Sequence, residues 1–344
     1  MGLLMVFSAS AVVAAEKFGS AYHFFLRQLL WALVGFCGLA ALSQINYEHY
    51  KKPWIVFSLL AVTTGLLVAV YFLDRAKGAH RWIHLGSFFS LQPSELAKPV
   101  LVLFLAWFLE PRSKLMDDAK RTLVPLAVTL GLICGLILKE PDLGTTLVCA
   151  GGAIIMLYVA GLPMRYFGYA AIPILPLMYW QLFHVGFRRD RMLVFLHPDA
   201  DPQGKGFHMM QSLIAVGTGG LFGRGLMEGK QKLFYLPEPH TDFIYAVIAE
   251  ELGLIGAVVI VALFAVLAFR GLRMAYRSND AYARLLAVGI TSMIVIQALF
   301  NISVVIGLLP TKGIPLPFVS YGGTSIAVSL AMVGILLNIS RQTE

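Results

Sequence analysis

The sequence has 344 residues, of which 58% are hydrophobic and 13% charged, with a mean hydropathy of +0.76. A soluble domain carries roughly 25% charged residues, so this chain has about half the charge that a water-facing surface needs, and a soluble globular fold is excluded. The net charge of +8 does not mark a nucleic-acid partner, because the lysines and arginines fall between apolar runs and build no continuous basic face. Cys37, Cys134 and Cys149 lie inside apolar stretches, without CxxC spacing or a neighbouring histidine. That setting points to packing and not to a metal or a disulfide.

Crossing the hydrocarbon core takes about 20 apolar residues. In chain order, apolar runs predict spanning helices near 1–15, 24–43, 54–73, 95–110, 122–138, 143–161, 166–185, 242–269, 284–308 and 317–339. The first run is short, and no basic residue precedes it, so it reads as a truncated first helix and not as a signal peptide. The predicted fold class is an all-α polytopic membrane protein with about ten transmembrane helices in a single domain, 1–344. A large extracytoplasmic loop, about 186–241, separates the seventh and eighth helices.

Orientation follows from the basic residues of the short loops. Lys51 and Lys52, then Arg112, Lys114, Lys120 and Arg121, then Arg165, then Arg270, Arg273, Arg277 and Arg284 fall in alternate loops. That side is expected to be cytoplasmic, as are both termini. The opposite face carries segments 74–94 and 186–241. Their Arg75, Lys77, Arg81, Arg188, Arg189 and Arg191 point either to an anionic ligand or to lipid headgroups.

Particular polar residues narrow the reading. Pro93 suits a helix start and Ser94 a cap. Glu95 and Lys98, spaced i,i+3, either form an intrahelical ion pair or present a cation to a ligand. Gly217 to Gly225 fits neither GxGxxG nor the Walker spacing, and reads as a segment that lets backbones approach closely. Thr241 or Asp242 can cap the eighth helix, but a carboxylate at a helix mouth, flanked by Glu238 and His240, is equally placed as a general base. Glu250 and Glu251 lie roughly 12 Å further along that helix, where a carboxylate must be paired or wet. No His, Cys, Asp or Glu set has metal-site spacing, and no Ser-His-Asp set stands out.

Several runs together resemble the FtsW/RodA (SEDS) family of peptidoglycan glycosyltransferases. They include Arg81-Trp82-Ile83, Gln92-Pro93-Ser94-Glu95, Pro141-Asp142-Leu143-Gly144-Thr145, His240-Thr241-Asp242-Phe243-Ile244, Glu250-Glu251-Leu252-Gly253 and Pro317-Phe318-Val319-Ser320-Tyr321-Gly322-Gly323. The resemblance covers nearly the whole chain. Pro310-Thr311-Lys312-Gly313 is more similar to the division branch, FtsW, than to the elongation branch, RodA. The chain departs from the family pattern at His80, Glu140 and Ala249.

The resemblance implies polymerisation of lipid II, an undecaprenyl-diphosphate-linked disaccharide peptide, at the outer face of the bacterial cytoplasmic membrane. The setting would be the division septum and the partner a class B penicillin-binding protein transpeptidase. It places the family's essential aspartate at Asp242. Lys98 is the implied cation for the diphosphate. Arg81, Glu95, Arg191, His240 and Glu238 are further candidate substrate-binding residues. A divalent cation is compatible with this chemistry, and no other cofactor is implied. An elongation polymerase, a lipid II flippase and a scaffold for the transpeptidase are the alternatives.

Overall fold

The computed structural model describes residues 1–72, 81–86, 89–113, 115–197, 206–233, 236 and 238–343. Arg75, Lys77, His80, Lys114 and Pro237 lie outside them, as does the stretch 198–205. Most of the described residues are helical. Ten helices are 16 residues or longer, and each coincides with one predicted apolar run. Among the described residues the strands form a two-stranded antiparallel hairpin, β1 (Ile83–Leu85) and β2 (Phe89–Leu91), in the register Ile83 to Leu91.

Six helical segments are long and apolar enough to cross a membrane unaided: His23–Gln44, Pro53–Phe72, Ala119–Lys139, Ile244–Arg277, Ala281–Val305 and Gly323–Gln342. A bent pair, Met164–Phe183 with Arg188–Leu196, makes a seventh candidate. The remaining three, α1 (Gly2–Phe18), α4 (Pro93–Leu109) and α6 (Leu143–Val159), have 17 residues each. At 1.5 Å per residue they reach roughly 26 Å, just short of a typical hydrocarbon core. The protein is therefore an all-α, multi-pass membrane protein.

The chain divides into two compact units. The first comprises Met1–Gln28, Met164–Phe264 and Ala298–Tyr321. It contains α1, α7 (Met164–Phe183), α8 (Gly186–Leu196), α9 (Phe207–Thr218) and the N-terminal part of α10 (Ile244–Arg277). Its core joins Met5, Val6 and Ala9 to Ile244, Val247 and Ile248, and to Ile302, Val305, Leu316 and Val319. Within it α7 has no buried residue, which is consistent with its apolar side chains facing lipid.

The second unit comprises Leu29–Pro163, Ala265–Gln297 and Gly322–Glu344. At its centre α4 packs against α3 (Pro53–Ala69), α6 and α12 (Gly323–Thr343). Leu101, Leu105 and Leu109 of α4 are fully buried, and from Pro99 onward the helix is apolar all round, as a core helix must be. Asp142 caps α6 by accepting from Thr145 N at 3.1 Å, and its family run thus has a local structural cause.

Three helix starts differ from expectation. Ser94 does not cap α4; Gln92 holds the cap position, and Ser94 Oγ accepts from Gln92 Nε2 at 3.1 Å. The last helix begins at Gly323, not near Pro317, because Phe318 sits at φ 65 and breaks any helix through it. In α10 the first turn bonds to the Phe243 carbonyl, which accepts from Ala246 and Val247. Asp242 therefore lies one residue before the position from which side chains ordinarily cap, and Thr241 Oγ is turned to Glu238 O, 3.2 Å away.

Candidate active site

In the first unit, the segment entering α10 is held by its backbone. Three successive carbonyls each accept a donor from a different residue. Tyr321 N donates to His240 O at 2.8 Å, Ser320 Oγ to Thr241 O at 2.6 Å, and Asn301 Nδ2 to Asp242 O at 2.8 Å. Ser320 Oγ also accepts from Leu316 N at 2.7 Å, and Asn301 Nδ2 donates to Ile314 O at 2.7 Å. The loop 310–321 and the C-terminal end of α11 (Ala281–Val305) thus lock residues 240–242 in place. Gly313 lies against the Asp242 side chain; a Cβ there would come within 2.7 Å of Oδ2. Asp242 itself is only partly buried, as a carboxylate that meets a substrate must be.

His240 is buried between Phe24 and Tyr321, with ring centroids 4.5 and 5.6 Å away, and its Nε2 is 3.9 Å from Glu238. Glu238, at φ 48, keeps a half-exposed carboxylate. The structure therefore brings Glu238, His240 and Asp242 into one short turn segment. Arg191 is exposed on α8, and its charge acts on His208 of α9, whose pKa is lowered first by burial and then by this cation.

Below this segment α10 is interrupted. In an unbroken helix the N–H groups of Leu254 and Ile255 would donate to Glu250 O and Glu251 O. Here Gly253 adopts φ 66, ψ −165, and those donors turn to Gly220 O and Leu221 O at 2.9 and 3.3 Å. Glu250 O and Glu251 O accept instead from Arg224 N and Gly225 N, each at 3.0 Å. The glycine-rich segment is thus spliced into the helix, exchanging two internal bonds for four external ones. A Cβ on Gly219 would sit 1.9 Å from Ala249 O, and one on Gly223 2.1 Å from Glu251 O. The close approach expected of these glycines is what they provide. At membrane depth every backbone group needs such a partner.

The two glutamates hold the segment 227–232, just after the splice. Glu250 accepts from Lys230 N at 2.8 Å and Gln231 N at 3.1 Å. Glu251 accepts from Met227 N at 3.0 Å, Ser8 Oγ at 2.7 Å and Lys232 Nζ at 2.6 Å. Both carboxylates are fully buried and fully paired, which answers the alternative left open by their depth.

In the second unit, Lys98 Nζ is 2.7 Å from Glu95 and 2.5 Å from Gln297 Oε1, with both charged side chains almost wholly buried. The predicted i,i+3 pair exists, with an amide from α11 as a third member. Arg81 donates to Glu140 O at 2.9 Å and Pro141 O at 2.7 Å. It braces the α5–α6 corner, where α5 is Val124–Lys139. Among the described residues no group of His, Cys, Asp and Glu is placed to hold a metal ion.

Asn301, Gln297 and Lys232 were not legible from the sequence, and Ser8 and Ser320 stand out there only as members of runs that carry the family resemblance. Each is a single polar residue whose partner is far away in the chain, so spacing carried no signal for it. A lone amide such as Asn301 in an apolar helix is the only cue, since a polar group at that depth needs a reason.

A polytopic helical membrane protein with paired buried charges, and a backbone-locked carboxylate at a helix mouth, defines the class. The family model described as Cell cycle protein (FtsW/RodA/SpoVE) matches residues 1–344, and the chain belongs to that family. It is 44% identical over 344 residues to a protein of Geobacter metallireducens named "Probable peptidoglycan glycosyltransferase FtsW", covering 100% of this chain and 92% of that one. It is 42% identical over 348 residues to stage V sporulation protein E of Bacillus subtilis, covering 100% and 94%. Among solved structures, it resembles a chain in a study of how a peptidoglycan synthase complex coordinates polymerization and crosslinking. The identity there is 30% and the TM-score 0.76, over 99% of this chain and 96% of that one. The rod shape determining protein RodA of Thermus thermophilus matches with TM-score 0.68 and 27% identity, over 99% and 95%.

Proposed function

We propose that this protein is an inverting peptidoglycan glycosyltransferase that polymerises lipid II at the outer face of the bacterial cytoplasmic membrane, with Asp242 as general base. The observation that carries the reading is the placement of Asp242, a partly buried residue at a helix mouth, on a backbone locked at three successive carbonyls. Family membership and the names of the relatives support the reaction class.

The chemistry is a direct displacement. An acceptor sugar hydroxyl gives its proton to Asp242 as its oxygen bonds to the donor's anomeric carbon, while the bond from that carbon to the lipid diphosphate breaks. An α-linked donor and a β-linked product require inversion, which direct displacement with one base supplies without a carboxylate nucleophile. The departing diphosphate calls for fixed positive charge; Lys98 is assigned that role, with Arg81 and Arg191 as further cations. Glu95 holds Lys98, and His240 and Glu238 flank the base. Both termini are placed in the cytoplasm and the enzyme at the division septum. The likeness to a synthase complex supports a class B penicillin-binding protein transpeptidase as partner.

The experiment is reconstitution. Purified protein with its transpeptidase, given lipid II and no other polymerase, should yield glycan polymer. Unconverted lipid II would overturn the assignment in favour of a flippase or scaffold.

A further inference from the structure

We propose that Asn301 is a positioning residue for Asp242, an inference that rests on the reading of Asp242 as the base. Asn301 lies in the last turn of α11 and is 1% exposed. Its two amide hydrogens are divided between two carbonyls that belong to different segments, Asp242 O at 2.8 Å and Ile314 O at 2.7 Å. Among the described residues its Oδ1 accepts no hydrogen bond. The side chain is therefore held for its donors, and one group fixes two backbones.

Those two backbones are the ones that frame the carboxylate. The Asp242 carbonyl sets the direction of its own Cα–Cβ bond. Ile314 follows Gly313, the residue whose missing side chain leaves room for Asp242 Oδ2. Pinning both carbonyls to one planar amide fixes the distance between the carboxylate and the 312–314 loop. His240 O and Thr241 O have their own donors, Tyr321 N and Ser320 Oγ. The segment therefore stays attached without Asn301, and only its final residue is released. A base displaced by about 1 Å from its line of attack costs up to roughly 100-fold in rate.

The test compares Asn301→Ala and Asp242→Asn in the full-length protein with its transpeptidase, using lipid II as substrate. The expected result is a kcat for Asn301→Ala about 10- to 100-fold below wild type. KM for lipid II should stay within about twofold, and melting temperature and copurification of the partner should be close to wild type. If the alanine variant does not fold, Asn301→Asp decides in the same way, because it keeps the size and loses the two-proton donor. Wild-type kcat in a folded Asn301 variant, with Asp242→Asn inactive, would overturn this proposal and leave the base assignment standing. A raised KM at unchanged kcat would also overturn it, since the side chain would then serve substrate binding. Full activity in Asp242→Asn would remove the base assignment and this inference together.

Discussion

Lys232 Nζ lies 2.6 Å from the carboxylate of Glu251, with both side chains buried, and Ser8 Oγ completes the triad at 3.0 Å from Lys232. The three residues come from α1, α10 and the loop between α9 and α10. Met227 N and Ser8 Oγ also donate to Glu251, but Lys232 is the cation that balances its buried charge, so removing Lys232 strands that charge. Lys232→Met should cost about 3–5 kcal/mol, the usual penalty for an orphaned buried charge. A marked fall in the melting temperature in detergent is the expected reading. Adding Glu251→Gln should restore part of it, because the stranded charge is gone.

The splice at Gly253 predicts a sharp steric threshold. Gly219 has ordinary helical dihedrals (φ −70, ψ −25), so alanine there meets no backbone strain, but its Cβ would fall 1.9 Å from Ala249 O. Gly219→Ala should therefore lower the folded yield on size-exclusion chromatography. Gly217→Ala, two residues earlier with nothing within 4 Å, should leave the yield unchanged.

Glu140 sits just beyond α5, fully buried, and among the described residues neither carboxylate oxygen has a hydrogen-bond partner. Burial, reinforced by Asp142 and opposed by Arg81, pushes its pKa from 4.5 up to about 8. The folded protein thus binds a proton that the unfolded chain releases above pH 4.5. By linkage, the contribution is present at low pH and is lost as pH rises from about 4.5 through about 8. Glu140→Gln, neutral at every pH, should match wild type near pH 5 and melt at a higher temperature at pH 9. Equal melting temperatures at pH 9 would show that the carboxyl is not held neutral.

For Lys98 the structure sharpens a choice. Its ion pair with Glu95 and its bond to Gln297 account for its burial without a ligand, so a purely structural lysine is the competing account. Lys98→Met should abolish turnover of lipid II while the protein remains folded. If the role is pairing alone, Lys98→Met with Glu95→Gln should recover activity; continued inactivity of the double variant is the outcome expected of a diphosphate-binding cation.

Local chemistry was legible in the sequence, and distant partnerships were not. The ten apolar runs became ten helices, the Glu95–Lys98 spacing became an ion pair, and the glycines of 217–225 became a close backbone approach. Each of these follows from period, i,i+3 geometry or the absence of a Cβ. The start of α12 was misplaced because a positive φ at Phe318 carries no sequence signal. Asn301 and Asp242 are 59 residues apart, and Ser8 and Glu251 are 243 apart. Such pairs are made by tertiary packing, so the sequence shows two isolated polar residues and nothing that joins them.

The base assignment at Asp242 stands or falls on a single substitution. Asp242→Asn keeps the size of the side chain, and the three carbonyl anchors at residues 240–242 are backbone bonds that the change does not touch. Folding and partner binding should survive. What is lost is the base, and general base catalysis is typically worth about 10²–10⁴-fold. The measurement is polymerisation of lipid II in detergent by the purified variant with its transpeptidase. The expected result is no measurable polymer from a variant that still copurifies with its partner. Near-normal polymer would contradict it, and the base would then have to be sought at Glu238 or His240.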